Sequence, residues 1–417
     1  MVNLDKSKNI IRNKDSLLSV KSPTPLFTFA VLLIFTMSLN SDWNQSRILW
    51  WGSVACLIAS FAVTFRFDFR LGKEYTAWLV GFFINCLLSV FWALSQSYSI
   101  NILKSMIVNI VILLVLYSGI NSKENVKFFF KIFLIACLVN ATYLLLTNLD
   151  MLMSLESADR LGNDSAWNAN AIGMMTSICA LLSVYFFQTS KTKSAKGIMI
   201  ASLILMLVVS LLTGSRKAIL ILAVGISMYL FLSNKVKRVK TIVVIALFLF
   251  LIGYIVMKVP YFYSIIGWRI EAYISSLTGS GEVDGSTISR QKLITAAIDA
   301  WLDKPIIGHG IDCFRIFGME ATGKNYYAHN NYVELLADLG IIGFSIYYAG
   351  YAFILYRLIK NKNKSKFDYL LITIMTVILA LDYACVSYSE VLFKMILMLE
   401  FAYVCKPNNE RMSEIEK

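Results

Sequence analysis

The chain has 417 residues, is 58% hydrophobic and carries a formal net charge of +13. A mean hydropathy of +0.66 excludes a soluble globular domain. Apolar runs of about 20 residues recur along the chain, each enough to cross a bilayer core of ~30 Å as a helix. They show no two-residue alternation, so helices rather than a barrel satisfy the backbone in lipid, and the fold class is an all-α integral membrane protein.

In chain order, the sequence predicts twelve spans, near 25–41, 47–65, 75–94, 100–119, 128–149, 168–188, 197–213, 217–233, 240–258, 331–356, 367–384 and 389–405. The first follows a basic tail, 1–24, and has no small-residue cleavage site, which favours a retained span over a signal peptide. The last two are joined only by the short link Tyr383 to Tyr388. The expected organisation is a nine-helix membrane region over 25–258, an extracytoplasmic loop over 259–330, a three-helix membrane region over 331–405 and a cytoplasmic tail over 406–417.

The positive charge has a pattern. Arg66, Arg70 and Lys73, then Lys191, Lys193 and Lys196, then Lys235, Lys237, Arg238 and Lys240, then Arg357, Lys360, Lys362, Lys364 and Lys366 all fall in loops on one side. Such a bias marks the cytoplasmic face. It puts both termini inside and the long loop outside, and it accounts for the charge without a nucleic-acid partner. Cys56, Cys86, Cys137, Cys179, Cys385 and Cys405 lie in or at the ends of spans, so Cys313 has no disulfide partner in the long loop. No His/Cys cluster has metal-ligand spacing, and no Walker or dinucleotide motif appears, which argues against nucleotide-sugar chemistry.

A loop of this length is functional or disordered, and this one is not low in complexity. Tyr261 to Leu277 is aromatic and half apolar. A polar link, Thr278 to Gly285, follows. Leu293, Ile294, Ala297, Ile298, Trp301 and Leu302 then recur at helical spacing opposite Asp299 and Asp303, which predicts an amphipathic helix on the outer membrane surface, ended by Lys304-Pro305. The chain has no internal repeat, unlike transporters built from two related halves.

Three outer-face constellations can carry chemistry. In Thr213-Gly214-Ser215-Arg216-Lys217-Ala218, Ser215 can cap the next helix, which puts two cations in its first turn. That placement costs ~0.3–1 kcal/mol unless an anion binds there; the competing reading is a snorkelling pair. Arg290 falls on the apolar side of the amphipathic helix, where it would meet an anionic lipid group, either a substrate phosphate or bulk headgroups. Finally, Asn330 or Asn331 can cap the tenth span, with Glu334 supporting its first turn, and Gly340 and Gly343 share a face that would admit a neighbouring helix. If that helix includes His329, the imidazole points inward as a candidate base; a structural role at the cap is the alternative, and His309 in Pro305-Ile-Ile-Gly308-His-Gly310 is a rival.

These residues resemble the O-antigen ligase and polysaccharide polymerase superfamily. His329-Asn330 with Gly340 and Gly343 matches the ligase signature. Thr213 to Ala218 looks like the family's motif before a span, and Arg290 with Pro305 to Gly310 looks like its loop motif. Arg160-Leu-Gly162 with Asn168-Ala-Asn170 is similar to a weaker upstream motif, and the resemblance covers about 160–345. It implies a metal- and cofactor-independent glycosyltransferase of the GT-C membrane class in the bacterial cytoplasmic membrane. Such an enzyme moves a glycan from an undecaprenyl-diphosphate carrier to a glycan or lipid-linked acceptor. By carry-over, His329 is the base, Arg216 and Arg290 with Lys217 hold the diphosphate, and Asn330, Gly340, Gly343, Arg160 and His309 support the site. The implied partners extend to a flippase and a chain-length regulator of the same pathway. The acceptor stays open: a polymerase of O-antigen or capsule repeat units is slightly favoured over a ligase to lipid A core. From another class, a flippase or other twelve-span transporter remains an alternative.

Overall fold

A computed structural model describes residues 23–39, 47–150, 160–162, 169–234, 238–277 and 285–407. The amino-terminal tail, Asn168, Lys235, Lys237, most of the polar link and the last ten residues lie outside the described residues. Those described form helices and no strands: α1 (Pro25–Leu39), α2 (Arg47–Phe65), α3 (Lys73–Ser89), α4 (Gln96–Ser118), α5 (Lys123–Thr147), α6 (Ala169–Thr189), α7 (Lys193–Leu212), α8 (Arg216–Ser233), α9 (Arg238–Lys258), α10 (Trp268–Leu277), α11 (Gly285–Asp303), α12 (Phe314–Thr322), α13 (Asn331–Lys360), α14 (Lys366–Asp382) and α15 (Val391–Cys405). Among the described residues nine helices, α2 to α9 and α13, are long and apolar enough to cross a membrane. At the remaining expected spans, α1, α14 and α15 are shorter helices. They are largely enclosed: Leu392 to Val404 of α15 are all buried, Lys394 and Glu400 among them.

Local chemistry sets the boundaries. Ser95, Ser122, Thr192 and Ser215 each cap a following helix by accepting a backbone N–H. Ser365 and Asp368 form a capping box at α14. Basic residues gather at one end of the bundle, where Lys406 Nζ donates to Arg70 O at 2.9 Å and Arg357 Nη2 to Val404 O at 3.2 Å. The 305–313 segment lies at the other end, tied by Leu94 N to His309 O at 3.0 Å and by Ser99 Oγ to Ile311 O at 2.6 Å.

Two expectations need correcting here. The amphipathic helix α11 docks on protein: Leu293, Ala297 and Ala300 are buried in a small core with Phe314, Ala328 and Ala337. Ile294 and Trp301 are half-buried, and Ile288, Ile298 and Leu302 stay exposed. The periodicity was legible, but a helix face that fits a neighbouring helix and one that fits lipid look alike in sequence.

The second correction concerns Gly340. It does not sit on a helical face; it breaks α13, with φ 61° and ψ −168°. The break frees backbone groups that the 305–310 segment takes up. Ile341 N donates to Pro305 O at 2.9 Å and Ile342 N to Ile306 O at 3.3 Å, while His309 N donates to Ala337 O at 3.0 Å and Gly310 N to Asp338 O at 2.8 Å. The contact is backbone to backbone: a Cβ on Gly340 would lie 2.3 Å from Ile306 C, and one on Gly308 2.4 Å from Asp338 C. The two sequence motifs are thus the two halves of one joint. Gly343 keeps its expected role, since a Cβ there would lie 2.7 Å from Asn85 Oδ1 of α3. Beyond the joint, Ile341 to Lys360 is long enough to span ~30 Å alone.

Candidate active site at the loop end of the bundle

Arg160, Arg216, Lys217, Arg269 and Arg290 line one cavity of about 240 Å³, together with Asn170, Gly214 and Trp268. They come from four places in the chain. Ser215, fully buried, caps α8 through Ala218 N, so Arg216 and Lys217 occupy its first turn as expected. Arg160 Nε donates to Thr213 O at 2.8 Å and its Nη2 to Asn170 Oδ1 at 3.3 Å, closing the carboxyl end of α7 against the start of α6. Close packing of Gly214 against Ile265 brings in the turn that leads to Arg269, whose guanidinium lies 5.4 Å from the centre of the Trp268 ring. Arg290 projects from α11 into this cavity and not toward lipid, because the helix docks by its Leu293–Ala297–Ala300 face.

Five cations share the cavity wall, and no carboxylate appears among its described lining residues. Their mutual repulsion is visible at Arg160. Burial first, then Arg269, Arg216 and Arg290, pull its pKa down to about 10. A wall of like charges with a helix N-terminus opening on it is stabilised by a polyanion, and guanidinium forks suit phosphate oxygens.

His329 stands next to this cavity but outside α13. Asn330 is the cap, its Oδ1 accepting from Tyr332 N at 3.0 Å and Val333 N at 3.3 Å. Asn331 does something else: buried in the first turn, it accepts from Ser387 N and Tyr388 N, both at 3.0 Å, and donates to Tyr348 Oη at 2.8 Å. Glu334 reaches back to accept from Ala328 N at 2.6 Å. His329 itself has φ 55°, in the left-handed region that is costly for a side-chain-bearing residue and is typical of functional sites. Its ring packs at 4.1 Å, centre to centre, from Tyr327. The expectation that the α13 helix itself aims the imidazole is therefore wrong; the strained turn before the cap positions it.

Burial, followed by the charges of Arg290 and Lys217, lowers the His329 pKa to about 4. The imidazole is neutral at pH 7 and can accept a proton, though weakly. The sign of this effect gives an expectation. Neighbouring cations penalise the imidazolium form, so an anion that neutralises them raises the pKa and strengthens the base. With only two histidines in the chain, ring-labelled protein in nanodiscs gives two assignable resonances. His329 should titrate near 4, move upward on adding inorganic pyrophosphate, and move upward in Arg290→Gln without any ligand. A midpoint near the unperturbed value that neither change shifts would contradict the arrangement.

His309 does not join the site. It is buried, its Nε2 hydrogen-bonds Ala300 O at 2.8 Å at the end of α11, and its ring packs on Phe317. Burial lowers its pKa too, but its role is to seat α11 on the joint. Several site residues were not singled out in the sequence. Arg269 sat within an aromatic stretch with nothing to mark it. Asp312, Arg315 and Tyr327 become visible only when Asp338, buried in α13, accepts from Asp312 N at 3.0 Å and Phe314 N at 2.7 Å and so fixes the loop that shares a cavity wall with Tyr327.

Residues 201–348 match the family described as O-antigen ligase. The matched stretch holds Arg216, Lys217, Arg290, His309, His329, Asn330, Gly340 and Gly343, and leaves out Arg160, Asn170 and the 383–390 loop. No curated protein matches the chain. The chain thus combines, among its described residues, nine helices long and apolar enough to cross a membrane with a stretch, 201–348, that is similar to the O-antigen ligase family.

Proposed function

We propose that this enzyme transfers a glycan from an undecaprenyl-diphosphate carrier to an acceptor sugar on the outer face of the cytoplasmic membrane, as a polymerase of surface-polysaccharide repeat units. The observation that carries the reading is the five-cation cavity beside a neutral histidine. The acceptor hydroxyl oxygen bonds to the anomeric carbon of the donor. The bond from that carbon to the diphosphate oxygen breaks, its electron pair leaves on the diphosphate, and the hydroxyl proton passes to His329. Arg216, Arg290 and Lys217, with Arg160 and Arg269, stabilise the charge that grows on the leaving group. The positive-inside bias supports cytoplasmic termini and an extracytoplasmic site.

Two observations favour other readings. The His329-Asn330 to Gly343 spacing fits a ligase that delivers finished polymer to lipid A core. Lys394 and Glu400, buried within α15, are the feature a flippase or other transporter would share. One experiment separates the three: analysis of lipid-linked and surface glycan in a strain lacking this gene. Single repeat units left on the outer-leaflet carrier are the expected result. Full-length polymer stranded on the carrier would replace polymerase by ligase, and donor trapped in the inner leaflet would replace both by a flippase.

A further inference from the structure

A second cavity, of about 270 Å³, adjoins the cationic one and shares Asn170 and Lys217 with it. Its character is different. Asp312, Glu334 and Glu390 put carboxylates on its wall, Arg315 adds a cation, Tyr327 and Tyr388 add rings, and Met174, Met175 and Phe393 close its floor. Asp312 is held by Arg315 Nε at 2.7 Å, and Glu334 is engaged by Ala328 N. Glu390 caps the entry to α15 without using its side chain as a cap acceptor, which leaves the carboxylate at the cavity wall.

His329 neighbours lining residues of both cavities. Tyr327, whose ring packs on His329, lines the second. Arg290 and Lys217, whose charges act on His329, line the first. A base at such a junction faces a leaving group on one side and a nucleophile on the other, which is the geometry a displacement needs.

We infer that the second cavity is the subsite for the acceptor saccharide and takes a neutral or amino sugar, with its ring on Tyr327 and its hydroxyl or ammonium groups on Asp312 and Glu390. The inference rests on the transferase reading above. Few polar groups fixed in a half-apolar cleft are what a small-molecule site requires, and carboxylates are strong acceptors for sugar hydroxyls. The charge on the wall sets the selectivity. Burial already raises the pKa of Asp312, and Asp312, Glu334 and Glu390 share the wall, so a uronic acid would bring a fourth carboxylate against three in a poorly solvated cleft. The same argument keeps the diphosphate out of this cavity and in its cationic neighbour.

The test uses the full-length protein in nanodiscs with two probes: the repeat-unit oligosaccharide released by mild acid from the cell's own surface polysaccharide, and undecaprenyl diphosphate without sugar. Glu390→Gln keeps the size of the side chain and removes the charge. It should weaken oligosaccharide binding about ten-fold or more, as loss of a charge-assisted hydrogen bond does, and leave undecaprenyl diphosphate binding within about two-fold. Arg160→Gln should do the reverse. Tyr327→Leu, which removes the aromatic ring, serves as the second saccharide variant if Glu390→Gln fails to insert. Glucosamine should compete with the oligosaccharide better than glucuronic acid does. Unchanged oligosaccharide binding in Glu390→Gln and Tyr327→Leu, or the opposite order of competitors, overturns the saccharide subsite. Unchanged undecaprenyl diphosphate binding in Arg160→Gln counts instead against the diphosphate reading, and leaves the saccharide arm to be judged on its own.

Discussion

Replacing His329 with alanine should lower glycan transfer by roughly 10²- to 10⁴-fold, the range that a positioned general base contributes, while the protein still inserts. The two halves of that expectation have separate grounds. His329 lies outside α13 and the helix is capped by Asn330, so α13 does not depend on the imidazole. The backbone at 329 does carry strain, because its φ is 55°. Alanine is poorly suited to that region, so a small loss of stability would accompany His329→Ala. Asparagine tolerates the left-handed region better than most residues and has no basic nitrogen. His329→Asn therefore removes the base with less disturbance. Both variants should leave short, unextended glycan on the carrier in cells, at normal levels of membrane-inserted protein. Ladder-like polymer in cells carrying either variant would remove His329 from the chemistry, and the neutral imidazole beside five cations would need another explanation.

How much of this was legible in the sequence depends on the range of the interaction. Features set within one turn of helix were readable: the caps at Ser215 and Asn330, the helix ends at Lys304-Pro305, and the positions of the long apolar helices. The cationic cluster was partly readable, because Arg160, Arg216, Lys217 and Arg290 each stood in a recognisable local pattern. Arg269 had none, and enters the cavity only because Gly214 packs against Ile265. Asn331 looked like a second choice of cap. Its bonds to Ser387 N and Tyr388 N cross more than fifty residues of sequence, so no local pattern could reveal that it ties the α14–α15 loop to the start of α13. The orientation of α11 failed for a related reason: periodicity gives a face but not what covers it. Gly340 was read as a small residue for helix packing, and its spacing to Gly343 is compatible with that. Only the dihedral angles show that it breaks the helix.

That break leads to the other large effect. Gly340→Ala should cost on the order of 3 kcal/mol or more, because two penalties add. Its φ of 61° with ψ near 180° is a region that only glycine occupies without strain, and its new Cβ would lie 2.3 Å from Ile306 C and O, where backbone cannot give way. Gly323→Ala separates the two penalties: its φ is 71°, but a Cβ there meets nothing within 4 Å. It should cost only the strain, about 1 kcal/mol. Gly197→Ala, inside α7 with open space around it and no positive φ, should be neutral or slightly stabilising. Melting of the purified protein in detergent should rank the three in that order, with equal effects at Gly340 and Gly323 counting against the backbone joint. The functional loss at Gly340 should exceed the loss of folded protein. Without the joint, His309 and Gly310 no longer pair with Ala337 and Asp338. Asp338 then loses its register with Asp312 and Phe314, and the cavity wall that carries Asp312 and Arg315 has no fixed position. The kinked helix is what lets one membrane span hold the loop that carries Asp312 and Arg315.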